Sequence, residues 1–508
     1  MTEETAAPAA EPIVLNPDQQ AAYDAIMAWL EARNPRYLNL TDPNARYRKP
    51  EHRLPPGAEE WFDDNPDDYF VLRGFAGVGK SLMLAELILD LSAKGWNIAA
   101  TAPTNRAVGV IQDKVRAAAK SRVISATFKS LHSVCGLRMA ENDDGTMSIA
   151  STGNPVLNQF DLLIVDEASM VDTKTLLRSI QVSREGCLVL FIGDPAQLPP
   201  VQEGVVAKVF KLPQGWMLDK VVRQAADNPL IAASMRIRER SRVNEILSAP
   251  SEHESQRIIQ SLGPDDRVQA SELMDFLPSD SFIRGTRQLR EIALDLQRQG
   301  VDARILCYTN ATVLNNNESI HFDLHPEAGN LMFVPGERVI VQSATKAENI
   351  ETGKTVDLVT SEELVIADVE LTLHPQYVNT KVYQLVMQDD LGNLVKVYTP
   401  KLMTAFKHQA SKLFGEVNDI NRVLGKNPSD RTLREKLNQA RNAAWGYKNS
   451  FAEIRHCYSS TTHKAQGATV RIALIDLPDI MSMQGTFLYN AALYVALTRP
   501  TDRVYIAY

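Results

Sequence analysis

Short apolar runs at 69–73, 97–101, 161–165 and 187–192 alternate with stretches at 80–93, 105–119 and 172–181 whose apolar residues recur at helical spacing. Strands that are apolar throughout, rather than at every second position, are buried on both faces. The alternation therefore predicts a parallel sheet covered by helices on each side. A second series follows. Strand 304–308 leads into helix 311–321, and strand 471–476 precedes helix 487–497 and strand 503–507. Between its halves, at 336–400, strands recur without long helices, which predicts a small β-barrel inserted into the second α/β domain. Residues 402–450 read as helical, with a turn near Gly425-Lys426-Asn427-Pro428. At the front, Asn16-Pro17-Asp18 opens an amphipathic helix carrying Ala22, Ile26, Trp29 and Leu30.

The domain reading is a disordered tail at 1–12 and a first α/β domain at 13–215, with a surface insertion at 34–68 and a hairpin at 137–150. The second α/β domain is split between 216–335 and 455–508 around the barrel and helices of 336–454. At 508 residues the chain has room for three domains, and 44% hydrophobic with 23% charged is ordinary globular composition. No apolar run approaches the length needed to cross a bilayer. The first twelve residues are acidic and Ala/Pro-rich without an apolar core, unlike a signal peptide.

A net charge of −8 misleads as a global figure, because residues 1–70 alone hold 14 acidic and 6 basic side chains. The remainder is balanced, so an anionic partner bound through a local stripe of cations is not excluded. Cys135, Cys187, Cys307 and Cys457 form no Cys-x-x-Cys pair and read as buried free thiols. The nine histidines are dispersed, and no zinc-ligand spacing stands out.

Chemistry concentrates in two places. Gly74-Phe75-Ala76-Gly77-Val78-Gly79-Lys80-Ser81 fits GxxxxGK[ST] between a strand and a helix. Glycines let the loop curl so that backbone amides and the helix N-terminus face phosphate oxygens. Lys80 would reach the β- and γ-phosphates, and the Ser81 hydroxyl would meet Mg²⁺. Leu162-Leu163-Ile164-Val165-Asp166-Glu167 ends a buried strand in two carboxylates. Beside a phosphate loop, Asp166 would hold the hydrated metal and Glu167 would polarise the attacking water. Adjacent acids favour hydrolysis over transfer.

Further motifs stand in order: Ala102-Pro103-Thr104-Asn105-Arg106-Ala107, Gly193-Asp194-Pro195-Ala196-Gln197-Leu198-Pro199-Pro200, Ser460-Thr461-Thr462-His463-Lys464-Ala465-Gln466-Gly467 and Ala492-Leu493-Tyr494-Val495-Ala496-Leu497-Thr498-Arg499. Together with the two above, this set resembles superfamily 1 helicases of the RecD-like branch, above all its Dda-like members. The likeness runs from about residue 13 and is weak in 34–68 and 336–450. Ser81 stands where near relatives often have Thr. The resemblance implies two RecA-like P-loop domains, an SH3-like barrel with a helical excursion, and a hairpin pin. Gln19 would then read adenine, Gln197 would sense the γ-phosphate, and Arg223 and Arg499 would be arginine fingers suited to charge on equatorial oxygens. Gly74, Gly77, Val78, Gly79, Lys80 and Ser81 would cradle the nucleotide.

A DNA track is expected across both α/β domains from Pro103, Thr104, Asn105 and His132 on the first, and Thr309, Asn310, Thr462, His463 and Lys464 on the second. Small hydroxyls and amides bond phosphates without reading bases. Phe75, Phe128 or Tyr308 would either stack on bases or belong to the core. Asp144-Gly145 between strand-like runs signals a hairpin, and in Dda-like enzymes a hairpin here is the pin that splits the duplex, with Met139, Met147 and Ile149 as its apolar groups. The likeness further implies ATP and Mg²⁺ as cofactors and single-stranded DNA and DNA forks as substrates, with 5′→3′ movement. It implies a cytoplasmic monomer that meets a single-strand-binding or replication protein and no membrane. An RNA-directed helicase and a P-loop switch or loader remain the alternatives.

Overall fold

The computed structural model describes residues 14–33, 66–120, 122–141, 147–151, 155–183, 187–201, 203–220, 228–389, 392–426 and 429–508. The tail, nearly all of the 34–68 insertion, and Arg223 lie outside these.

In the first α/β unit, six parallel strands run in the order Ala126–Ser130, Ile98–Ala102, Leu162–Val165, Leu188–Gly193, Tyr69–Gly74, Gly215–Leu218. Successive side chains of a strand point to opposite faces, and both faces here are apolar. Phe70 and Leu72 pack with helices Pro17–Ala32, Lys80–Ala93 and Asn105–Ala119, whereas Tyr69 and Val71 pack with helices Thr173–Val182 and Pro229–Arg240. Both outer strands escaped the sequence reading. Ala126–Ser130 is only half-buried, and Gly215–Leu218 is four residues long with an exposed start, so neither forms an apolar run.

The second unit is a five-stranded parallel sheet in the order Ser459–Thr461, Ala303–Cys307, Val470–Asp476, Pro500–Ala507, Phe282–Ile283. Its helix Thr486–Leu497 is buried almost all round, as an apolar helix without a polar face must be. That helix shares one continuous core with the first unit, joining Leu493, Tyr494 and Leu497 to Phe191, Leu198 and Ile237.

The inserted region is made of strands without long helices between them, as expected up to residue 400, and they pair antiparallel. Its sheet runs Thr355–Leu358, Thr345–Asn349, Leu394–Pro400, Lys381–Gln388, Glu363–Leu373, Arg338–Val341, Ile454–His456 around a core that includes Tyr383, Leu385, Val339 and Ile454. The last strand joins only after the helical excursion, helices Met403–Lys426 and Arg431–Asn449, so the chain returns to close the sheet's edge. Phe406, Tyr447 and Phe451 dock that helical pair against Val382 of the sheet.

Strands Leu137–Glu141 and Met147–Ser151 form the antiparallel hairpin, with Met139 opposite Ile149 and Glu141 opposite Met147. Its turn lies outside the described residues. One carboxylate ties the three units: Glu363 of the antiparallel sheet pairs with Arg106 of the first unit at 2.5 Å, Arg304 of the second at 2.9 Å and Arg338 of its own sheet at 3.6 Å. Among the described residues no helix is long and apolar enough to cross a membrane.

Gly215 stands where strand Gly215–Leu218 meets its neighbour, and a Cβ there would lie 2.3 Å from the Val71 carbonyl oxygen. Gly215→Ala should therefore destabilise the fold by ~1–3 kcal/mol through forced backbone displacement. Gly263→Ala, with open space around it, should stay within ~0.5 kcal/mol. Equal midpoints for the two variants in urea unfolding would contradict this packing.

Candidate nucleotide-binding cleft and nucleic-acid track

The phosphate-loop sequence is a loop between strand Tyr69–Gly74 and helix Lys80–Ala93. Its backbone needs glycine twice over for conformation, since Gly77 and Gly79 sit at φ 82° and 79°. Gly74 is needed for space, because a Cβ there would stand 3.0 Å from Val78 Cγ2 and 3.1 Å from Leu218 Cβ. The Lys80 ammonium donates to the carbonyls of Gly74 and Phe75, each at 2.8 Å. Burial lowers its pKa, against the opposing pull of Asp194, Glu167 and Asp166.

Those two acids follow strand Leu162–Val165. Asp166 accepts the Glu167 amide at 2.9 Å. Glu167 is held in the left-handed region at φ 51°, ψ 42°, a conformation a non-glycine residue holds only when its surroundings impose it. Desolvation raises the pKa of both carboxyls. For Glu167 the neighbouring Asp166 adds to the rise while Arg499 and Lys80 oppose it. A poorly solvated carboxylate is a stronger proton acceptor than one in water.

The second unit reaches this point from across the cleft. Gln466 Nε2 donates to Gln197 Oε1 at 3.0 Å and to Ser169 Oγ at 2.9 Å. A Cβ on Gly467 would stand 3.8 Å from Glu167 Oε1. Arg499 is buried, its guanidinium donating to the Val495 and Ala468 carbonyls and the Thr498 hydroxyl. Gln19 is buried beside the phosphate loop. Its Nε2 donates to Val78 O at 2.9 Å, and its Oε1 accepts the Asn16 amide at 2.9 Å within a capping box. One amide hydrogen and one lone pair remain for another partner.

A further set of residues, none assigned a role from sequence, binds the cleft together. Asp194 is fully buried, pairing with Arg238 at 2.6 Å, accepting the Tyr494 hydroxyl at 2.5 Å and taking the Ala196 amide at 3.0 Å. The same Tyr494 oxygen accepts the phosphate-loop amide of Ala76 at 3.4 Å. Arg238 lies over the Phe75 ring at 4.4 Å. Phe75 is thus a core ring beneath a cation, which withdraws it as a base-stacking candidate. An Asp one glycine beyond the apolar run 187–192 was the available signal for a buried charge. Nothing in the sequence of helix Pro229–Arg240 marks Arg238.

The expected nucleic-acid residues fall into three groups. Thr104 and Thr309 are helix N-caps whose hydroxyls accept Ala107 N and Thr312 N, both at 3.2 Å. Thr309 also donates to Asp479 at 2.8 Å. Pro103, Asn105 and His463 are half-buried, Asn310 and Lys464 exposed. His132 meets Thr175 at 3.3 Å, and Lys464 donates to Gln342 of the antiparallel sheet at 2.6 Å. Thr462 is different: its side chain is fully buried and its hydroxyl lacks a partner among the described residues, so it does not face the surface the others line. Burial lowers the pKa of both His132 and His463. His463 lies beside the half-buried Tyr308, ring centroids 6.2 Å apart.

A family profile described as an AAA domain matches residues 62–259, which contain the phosphate loop, both acids and Asp194. The ATP-dependent RecD2 DNA helicase of Deinococcus radiodurans is 31% identical over 166 residues, 32% of this chain and 21% of that protein. The ATP-dependent DNA helicase dda of Enterobacteria phage T4 is 21% identical over 442 residues, 85% of this chain and 92% of the phage protein. The Pif1 helicase of Candida albicans, a solved structure, aligns over 97% of this chain and 94% of its own at 15% identity and a TM-score of 0.47. The chain spans less than a quarter of the RecD2 protein and of the Haemophilus influenzae RecBCD subunit RecD, 21% and 23% respectively.

Removing the partner of a buried carboxylate costs ~3–5 kcal/mol. Arg238→Met should therefore destabilise strongly, while Asp194→Asn with Arg238→Met should cost clearly less than the sum of the single changes. Additive losses in a denaturation cycle would mean that the two groups do not interact.

Proposed function

We propose that this chain, a relative of the RecD-like branch of superfamily 1, is an ATP-dependent DNA helicase that moves 5′→3′ along single-stranded DNA and separates duplex ahead of it. One observation carries the reading: Gln466, Gly467 and Arg499 of the second α/β unit converge on the Glu167 and Gln197 end of the first. A site divided between two bodies lets nucleotide state control their separation.

The residues present suit Mg²⁺-bound ATP. Lys80 is a cation on a glycine loop, and Ser81 and Asp166 offer the hydroxyl and carboxylate oxygens a hard divalent cation prefers. When bound, the metal would neutralise charge on the phosphates. Lys80 would exchange its two carbonyl partners for phosphate oxygens. Glu167 would take the proton of the attacking water, and Gln197 would orient that water once its amide leaves Gln466. Arg499, and Arg223 beyond the described residues, would meet charge on the equatorial oxygens, and Gln19 would contact the base with its remaining donor and acceptor.

Domain motion would then be passed to DNA lying across Pro103, Thr104, Asn105 and His132 on one side and Thr309, Asn310, His463 and Lys464 on the other. In this reading the antiparallel sheet is the SH3-like barrel, the hairpin is the pin, and the molecule works as a monomer at forks alongside single-strand-binding or replication proteins.

Strand-displacement assays with 5′-tailed and 3′-tailed DNA duplexes test the reading, with ATPase stimulation by single-stranded DNA and RNA measured in parallel. Separation of only the 5′-tailed duplex, with DNA the stronger activator, is expected. Glu167→Gln should retain ATP binding yet lose several orders of magnitude in turnover, since positioning survives and proton acceptance does not. Turnover near wild type would reject Glu167 as the base, and ATPase with no strand separation on either substrate would favour a switch or loader.

The pin has its own signature. Unstacking costs ~1.4 kcal/mol per base pair, and the apolar groups Met139, Met147 and Ile149 would offset part of that cost without touching ATP. Shortening 139–149 to a tight Asp-Gly turn should leave DNA-stimulated ATPase nearly unchanged and sharply reduce unwinding. If both fall together, the hairpin supports the first unit instead.

A further inference from the structure

Three of the nine histidines gather in space. On the far side of the second sheet from the nucleotide cleft residues, helix Asn310–Leu324 brings His321 against Glu337, which immediately precedes strand Arg338–Val341. Strand Ile454–His456 pairs with that strand, placing His456 opposite Val339. His321, Glu337 and His456 are all buried, and one donor atom from each lies within 4.8 Å of the others.

The orientation of each group matters more than its proximity. His321 turns Nδ1 toward Glu337 Oε1 at 2.6 Å and Nε2 toward the Leu331 carbonyl at 2.8 Å. A ring with one nitrogen in a donor cluster and the other fixed by a backbone carbonyl is oriented as metal-binding histidines are. Glu337 is fixed as well, Oε2 by the Val334 amide at 2.9 Å and Oε1 by the Tyr458 hydroxyl at 2.6 Å. His456 is stacked on His321 at 4.6 Å. Among the described residues its buried Nε2 has no hydrogen-bond partner, and it stands 3.6 Å from Glu337 Oε2.

A hydrogen-bonded cluster would satisfy that nitrogen. A cluster built for a cation leaves it a lone pair. A fourth nitrogen is at hand. His325, one helical turn after His321, presents Nε2 at 3.6 Å from Glu337 Oε1 and is a quarter exposed. His325 and Glu337 both line a cavity of about 590 Å³ that also touches Tyr458, which opens onto that side of the cluster.

We propose that His321, His325, Glu337 and His456 form a zinc(II) site that pins the antiparallel sheet to the second α/β unit. Three imidazoles and a carboxylate match the ligand preference of zinc over magnesium or calcium. Tetrahedral coordination at ~2.0–2.1 Å per bond sets donors about 3.3 Å apart, which the 2.6 Å and 3.6 Å contacts to Glu337 bracket, and His325 would swing inward to complete the set that His321, Glu337 and His456 begin. The zinc would replace the proton now shared between His321 Nδ1 and Glu337, and that proton would leave to solvent. This site is independent of the helicase reading, because none of its members belongs to the nucleotide cleft or the DNA track.

The experiment uses the full chain stripped with chelator, then incubated with ZnCl₂ and desalted. One zinc per chain by elemental analysis, a raised thermal midpoint, and a tetrahedral cobalt absorption band on substitution with CoCl₂ are expected. His456→Gln and His321→Gln should each abolish stoichiometric binding, and His325→Gln should weaken it. Tyr458→Phe, which removes a hydrogen bond to Glu337 but no donor, should still bind. Wild-type chain that retains no zinc and shows no cobalt band overturns the proposal whatever the variants do, as does full stoichiometry in a folded His456→Gln chain.

Discussion

A buried carboxylate cannot stand alone. Asp194, at the end of strand Leu188–Gly193, has no contact with water, and its desolvation must be compensated by directed partners. Those partners come from three places: Arg238 from helix Pro229–Arg240, Tyr494 from helix Thr486–Leu497, and the amide of Ala196. Tyr494 extends the chain of bonds to the phosphate-loop amide of Ala76, and Arg238 covers Phe75 of the same loop. The relative position of the two α/β units is thereby referred to a single charge. The meeting of Gln466 with Gln197, and of Gly467 with Glu167, depends on that reference.

The sequence made the central strands and the phosphate loop legible because burial on two faces and strained backbone geometry each leave a residue pattern. Apolar runs marked strands such as 162–165, and the glycine spacing marked Gly77 and Gly79. The edge strands were not legible, since Ala126–Ser130 is half-solvated and Gly215–Leu218 is held by a close backbone approach that a glycine permits rather than by an apolar face. Among the site residues, those tied to their neighbours in sequence were readable and those tied through space were not. Asp166 and Glu167 announced themselves as a pair, whereas Arg238 looks like any helix-surface arginine and Thr462 looks like a surface hydroxyl. The histidines carry the same lesson. Only His321 and His325, three residues between them, kept a local trace of a cluster whose other members lie at 337 and 456.

The antiparallel sheet is the least autonomous part of the chain. Its edge strand Ile454–His456 arrives after two long helices, and it leads directly into strand Ser459–Thr461 of the second unit. Sheet and second unit are therefore joined by the chain at both ends, beside Glu337 on entry and His456 on exit.

Against that first unit the sheet holds Glu363. Two oxygens serve three guanidiniums, from Arg106, Arg304 and Arg338, so the seam is under-neutralised within a chain whose net charge is −8. The acidic excess of the chain lies in residues 1–70, and the remainder is balanced. A polyanion nearing this junction would therefore meet more cations than Glu363 neutralises, with a rate of encounter set by ionic strength before any contact is made.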